Sequence, residues 1–173
     1  MAAISRMQFL RGRFHEAALA VRPPWAREEE AFTAECSRCD ACIPVCPTGI
    51  LKRGTAGFPE VDFLRGECTF CGHCVAACPT HALGGLARSE GLSPWSLVAR
   101  IQDACLALNK VVCRSCGDVC EARAIGFRLA LGGVALPQLD AAACNGCGAC
   151  VAICPTAAIS VARQTELPAA AAA

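Results

Sequence analysis

The sequence predicts an α+β fold organised around inorganic centres, and three observations predict it: the supply of cysteine, its spacing and its duplication. There are 16 cysteines in 173 residues, against two tryptophans, seven phenylalanines and no tyrosine. The 54% apolar content is therefore rich in alanine and poor in large side chains. A small domain with so thin a core usually relies on disulfides or a metal. Disulfides need an oxidising compartment, and no export signal is visible. Arg6, Arg11 and Arg13 give a positive start, but no apolar run follows them and no adjacent Arg-Arg pair stands there. The cysteines are expected in a reducing cytoplasm, as thiolate ligands.

Their spacing is specific. Cys36, Cys39, Cys42 and Cys46 form a C-x2-C-x2-C-x3-C run followed by Pro47. Cys68, Cys71, Cys74 and Cys78 repeat it before Pro79, and Cys144, Cys147, Cys150 and Cys154 before Pro155. Cys113, Cys116 and Cys120 match the last three positions of such a run, with Glu121 in place of proline and Lys110 where a first cysteine would stand. Cys39, Cys42 and Cys46 align with Cys113, Cys116 and Cys120 at a constant offset of 74, and Cys68 aligns with Cys144 at 76. The chain is thus two copies of a two-run unit.

Three cysteines at x2 spacing wrap one iron–sulfur cube, and the cysteine after x3 points out of the wrap to ligate the neighbouring cluster, as in bacterial two-cluster ferredoxins. This assigns Cys36, Cys39, Cys42 and Cys78 to one [4Fe–4S] centre and Cys68, Cys71, Cys74 and Cys46 to a second. Cys144, Cys147, Cys150 and Cys120 form another complete set. Cys113, Cys116 and Cys154 lack one ligand, and Cys105 is the candidate that fills the gap. The cofactor expectation is up to four [4Fe–4S] clusters, with iron held through these cysteines. Each oxidised centre adds about −2, so the formal charge of +1 would become about −7 on loading.

The fold expectation follows: two tandem bacterial-type two-cluster ferredoxin-like modules, with short strands and helices around the clusters. Residues 1–30 read as an N-terminal leader and possible docking segment, in which Trp25 beside two prolines resembles a short recognition element. Residues 31–88 form the first module, with a strand at 59–63. Gly84, Gly85 and Ser89 mark the 84–91 stretch as a linker. In the second module, 89–162, Ser93 and Pro94 open an extra helix over 94–109, carried by Trp95, Leu97, Val98, Ile101, Ala104, Cys105 and Leu108 at helical spacing. Strands follow at 124–129, 133–139 and 158–162. Residues 163–173 are expected to be a disordered tail. After each fourth cysteine an Ile or Leu, four or five residues on, can cover the inorganic face.

Other chemistries fit less well. The near-neutral charge, with both signs scattered, shows no basic face for nucleic acid. The uncharged 22-residue stretch 141–162 has the length of a membrane span, but its four cysteines and Pro155 explain its apolarity better, and no transmembrane segment is expected. Four-cysteine zinc sites use two separated pairs and leave the crowded middle cysteine without a role. His73 and His81 could donate near a cluster but read more simply as loop residues, and His15 as a surface residue. No nucleophile–base–acid arrangement is present, so no enzyme activity and no catalytic residue is expected.

The resemblance goes further than generic ferredoxin. Leu10-Arg11-Gly12-Arg13 and Arg22-Pro23-Pro24-Trp25, two complete runs, the irregular Cys105, Cys113, Cys116, Cys120, Glu121 set and the final complete run resemble the NapF family of ferredoxin-type accessory proteins of periplasmic nitrate reductase systems. The likeness spans about residues 6–162. It implies a cytoplasmic protein that binds the precursor of the nitrate reductase catalytic subunit before export and assists its maturation or reductive activation. The alternative is a soluble multi-cluster ferredoxin that acts with a redox protein partner as electron-transfer protein or subunit in another redox chain.

Overall fold

The computed structural model describes residues 20–84, 91, 93–130 and 132–164. Along the chain run helix α1 (Glu29–Glu35), strands β1 (Leu51–Arg53) and β2 (Pro59–Val61), and helix α2 (His73–Ala76). Strand β3 (Leu97–Ile101), helix α3 (Ser115–Asp118), β4 (Ile125–Leu129), β5 (Ala135–Leu139), helix α4 (Ala149–Ala152) and β6 (Ile159–Arg163) follow. The strands pair antiparallel as β1–β2, β4–β5 and β3–β6. The α+β class holds, and the strand expectations at 59–63, 124–129, 133–139 and 158–162 fall on β2, β4, β5 and β6.

The helix expected over 94–109 is not formed. Leu97, Val98 and Ala99 are buried in succession, a pattern of a strand covered on both faces, which helical periodicity cannot separate from a short buried helix. β6 decides between them by pairing with the whole of β3, from Leu97 with Arg163 to Ile101 with Ile159. Ser93 does not cap a helix; its hydroxyl donates to the Trp95 carbonyl at 2.9 Å. Beyond β3 the chain turns tightly: Cys105 N–H donates to Gln102 and Val111 N–H to Leu106, while the Asn109 amide donates to the Asp103 and Cys105 carbonyls.

The duplication is visible in the backbone. In the second half Gln102 N–H donates to the Ala158 carbonyl beside the β3–β6 sheet, and in the first half Arg27 N–H donates to Ala82 beside an Ala26–Leu83 bridge. Residues 22–26 are therefore the first half's counterpart of β3, and the boundary expected at residue 30 falls inside α1. Trp25 is not displayed for docking: it is buried, donates to Pro94 and accepts from Gly84. The tail expected from 163 also begins too early, since Arg163 closes β6 and Gln164 N–H donates to Ser96. Residues 1–19, 165–173 and most of the expected linker lie outside the described residues.

Each half has its own small core. Phe32, Ile50, Leu51, Phe58 and Leu83 pack with Cys42 and Cys74 in the first. Ala99, Ile125 and Ile159 pack with Cys116 and Cys150 in the second. Arg22 braces the first core, with its guanidinium 5.3 Å from both the Phe32 and Phe58 ring centres and 2.6 Å from Glu29.

One backbone feature recurs four times. The residue three places after the last cysteine of each run is left-handed: Gly49 (φ 65°), His81 (φ 57°), Arg123 (φ 51°) and Ala157 (φ 50°). Three of these N–H groups donate back to the cysteine carbonyl, at 3.1 Å for Gly49, 2.9 Å for Arg123 and 3.1 Å for Ala157. This turn redirects the chain from the last thiol into the next buried pair, such as Ile50 and Leu51. A β-carbon in that conformation costs about 1–2 kcal/mol. Ala157 is exposed and carries no packing, so Ala157→Gly is expected to stabilise the protein by about 0.5–1 kcal/mol, after the glycine's entropy is counted. Chemical denaturation under anaerobic conditions checks this; a lower midpoint would show that the turn is unstrained.

Candidate metal centres

The local turns bring the thiols together across runs. One recess is lined by Cys36, Cys39, Cys42 and Cys78. A second is lined by Cys46, Cys68, Cys71 and Cys74, and a third by Cys120, Cys144, Cys147 and Cys150. Counted out to their open mouths they contain about 320, 330 and 340 Å³ of atom-free space. In each the last thiol comes from a different run than the other three. The remaining four cysteines belong to the irregular set. Cys116 is buried with Cys105 and Cys113 as charge neighbours, and Cys154 packs against the core that holds Cys116.

The third residue of each x2-spaced trio is the buried one: Cys42, Cys74, Cys116 and Cys150. Cys39 and Cys71 are exposed. The walls between thiols are apolar: Leu83 closes the first recess, Ile50 and Leu51 the second, and Ala124 and Ile125 the third. Two non-glycine left-handed residues, Arg38 and Asp40, wrap the first trio, as Phe70 with Gly72 wraps the second and Gly146 with Gly148 the last. The irregular run departs from this, because Arg114 has φ −134°.

Burial dominates the thiols' acidity. It pushes Cys42 and Cys68 up to about 11, and Cys74 and Cys150 up to about 12, with neighbouring thiols adding to the rise. Cys39, at the surface, is lowered by N–H donation from Ala41. In Cys46 and Cys154 burial opposes ionisation, yet donors around the sulfur outweigh it and the pKa falls. Those donors include the Ala158 N–H, 3.2 Å from Cys154 Sγ. Cys68 and Cys144 receive comparable bonds from Phe70 and Ala99 at 3.4 and 3.5 Å.

A set of residues not singled out from sequence completes this shell. Thr48 Oγ1 stands 3.5 Å from Cys46 Sγ, while Thr80 and Thr156 stand 3.8 Å from Cys78 and Cys154. Once the sulfur is a thiolate only the hydroxyl can donate, and such bonds tune a bound metal group. The repeated Cys-Pro-Thr was the available signal. The third run, Cys120-Glu121-Ala122, lacks the hydroxyl. His73 and His81 are exposed, and His15 lies outside the described residues.

The donor chemistry fits iron–sulfur clusters. The thiols stand around recesses, and among the described residues no group of three or more His, Cys, Asp or Glu closes on a single-ion site. Ligation requires thiolates, and thiols that keep their protons to about 11 or 12 must release them on binding. Loading is therefore expected to strengthen as pH rises and to be lost as it falls, with up to about four protons released per centre at neutral pH. Anaerobic reconstitution followed by charge-transfer absorbance and proton release between about pH 6 and 9 checks the sign; pH-independent loading would mean that the thiols are already ionised.

Fold and thiol sets together define a ferredoxin-type iron–sulfur protein. In agreement, residues 35–82 match the 4Fe-4S dicluster domain family and residues 137–160 the 4Fe-4S binding domain family. The chain is 47% identical over 156 residues to the ferredoxin-type protein NapF of Escherichia coli, covering 90% of this chain and 93% of that one. It is 46% identical over 168 residues to the NapF of Haemophilus influenzae, with 91% and 93% covered. The methylamine utilization ferredoxin-type protein MauM of Methylobacillus flagellatus is 31% identical over 163 residues, with 84% of this chain and 68% of that one covered. The chain belongs to the NapF family of ferredoxin-type proteins. Among the described residues no helix is long and apolar enough to cross a membrane.

Proposed function

We propose that this protein is a cytoplasmic, non-catalytic accessory factor that carries up to four [4Fe–4S] clusters in two tandem two-cluster modules. It acts on the precursor of the catalytic subunit of a periplasmic nitrate reductase, assisting its maturation or reductive activation before export. The observation that carries the reading is the near full-length similarity to NapF proteins, at 46–47% identity over about nine-tenths of both chains.

The ligand reading is supported by cavities for three of the four sets, and by the nearness of Cys105 and Cys113 to Cys116 for the fourth. Cys36, Cys39, Cys42 and Cys78 would hold one cluster and Cys46, Cys68, Cys71 and Cys74 the next. In the second module Cys120, Cys144, Cys147 and Cys150 would hold one, and Cys105, Cys113, Cys116 and Cys154 the other. Cys105 substitutes for the thiol that Lys110 does not supply, brought in by the tight turn after β3. When bound, the clusters supply one-electron redox capacity. The chain's own part is to exclude water from the buried sulfurs with Ile50, Leu83 and Ile125, and to steady thiolate charge with backbone and threonine donors.

One experiment tests both parts. The protein is reconstituted anaerobically with labelled iron and mixed with the catalytic subunit carrying or lacking its export signal. About 16 iron atoms per chain are expected, and Cys105→Ala is expected to lose up to about four of them. A complex with the signal-bearing form supports the maturation role; label passing into it identifies a cluster donor, and label retained identifies a chaperone or reductant. Absence of a complex with either form overturns the assignment and leaves the multi-cluster electron carrier.

A further inference from the structure

The way the halves meet orders the thiol sets. Cys68 N–H donates to the Cys147 carbonyl at 2.9 Å, so the second and third recesses share a backbone contact through one thiol-bearing residue of each. Trp95 fills the space beside it. Its ring centre lies 5.8 Å from Phe63 and 5.9 Å from Phe70, edge-on to both, and its Nε1 donates to the Asn145 carbonyl at 3.0 Å. Gly148 sits so close to Phe63 that a β-carbon there would overlap the ring. A further contact between the halves flanks the same place: Trp25 N–H donates to Pro94 beside Trp95, and neighbouring Pro24 walls the second recess.

The other two sets lie behind these. The residues lining the Cys36 recess all come from the first half, and that set joins the second recess through the shared core of Cys42 and Cys74. The irregular Cys105 set joins the third recess through the shared core of Cys116 and Cys150.

We infer that the four sets stand in single file, the Cys36, Cys68, Cys144 and Cys105 sets in that order, and that electrons cross between the halves at the Cys68–Cys147 contact. Sequence order would place the Cys105 set third; the structure moves it to the far end. Exposed Cys39 stands at the opposite end. Transfer along the file moves one electron at a time from a low-potential one-electron donor. The giving centre is oxidised by one, its neighbour is reduced by one, and no bond or proton changes hands. Trp95 is a positioning residue that keeps the two inner sets together. The inference rests on the ligand reading above.

Pulsed paramagnetic resonance on the dithionite-reduced protein tests it. Cys39→Ala with Cys113→Ala leaves the inner pair of centres, and Cys71→Ala with Cys147→Ala leaves the outer pair. A several-fold stronger spin–spin interaction is expected in the inner-pair protein; an equal or stronger one in the outer-pair protein overturns the order. Trp95→Ala in the otherwise intact chain keeps its iron and is expected to lose much of the interaction between halves. An unchanged interaction there overturns the contact, and this arm decides if the double variants fail to hold their two centres. An iron count well below about 16 in the unaltered protein counts against the ligand reading instead, independently of the order.

Discussion

Cys78→Ala is expected to empty the recess of Cys36, Cys39 and Cys42 while leaving that of Cys68, Cys71 and Cys74 loaded, although Cys78 belongs to the second run in sequence. About a quarter of the iron should be lost, along with several kcal/mol of stability, because a structural metal site contributes folding energy directly. The decisive form is a double-variant comparison. Cys78→Ala combined with Cys39→Ala should lose no more iron than either alone, since both thiols line one recess. Cys78→Ala combined with Cys71→Ala should lose twice as much, since Cys71 lines the other. Non-additivity marks residues of one unit. The reverse pattern would show that each run keeps its own fourth thiol.

Gly148→Leu is expected to have the next largest effect. Gly148 has φ +83°, and a β-carbon there would overlap the Phe63 ring. The left-handed conformation costs about 1–2 kcal/mol and the overlap about 1–3 kcal/mol more. A loss of roughly 10 °C in the anaerobic melting temperature follows, with the two halves forced apart. Gly126→Ala is the control: its β-carbon would meet nothing closer than the Gln138 carbonyl at 3.9 Å. A Gly148 variant no more damaged than this control would show that the halves are held elsewhere.

The grouping of thiols from different runs around one recess was legible in the cysteine spacing, because the reach of a short turn is nearly a local property. So were β2, β4, β5 and β6, each a short apolar stretch beside a run. β3 was not. Val98 and Ile101 fit helical spacing as well as strand pairing, and only β6, about 60 residues away, settles the matter. Trp25 misled for a related reason: its prolines looked like a recognition element, while it is buried, with its backbone tied to Gly84 in its own half and to Pro94 across the junction. Arg22 was noted only as part of the leader, since its stacking on Phe32 and Phe58 is invisible before the core exists. The three threonines were in plain sight, in a repeat read for its proline.

The crossed thiols bear on how long the protein survives. A group that joined the four sulfurs of the Cys36 recess would also fasten Cys78 to Cys36 and close a long loop, whose opening would restore a great deal of chain entropy. The Cys46 recess closes a second loop that overlaps the first. With clusters bound as proposed, the first half could not lose one such tie without loosening. Oxygen that strips a single centre would thus release a whole half to proteases, which act on the opened population. Abundance in the cell would then track how reducing the surroundings are.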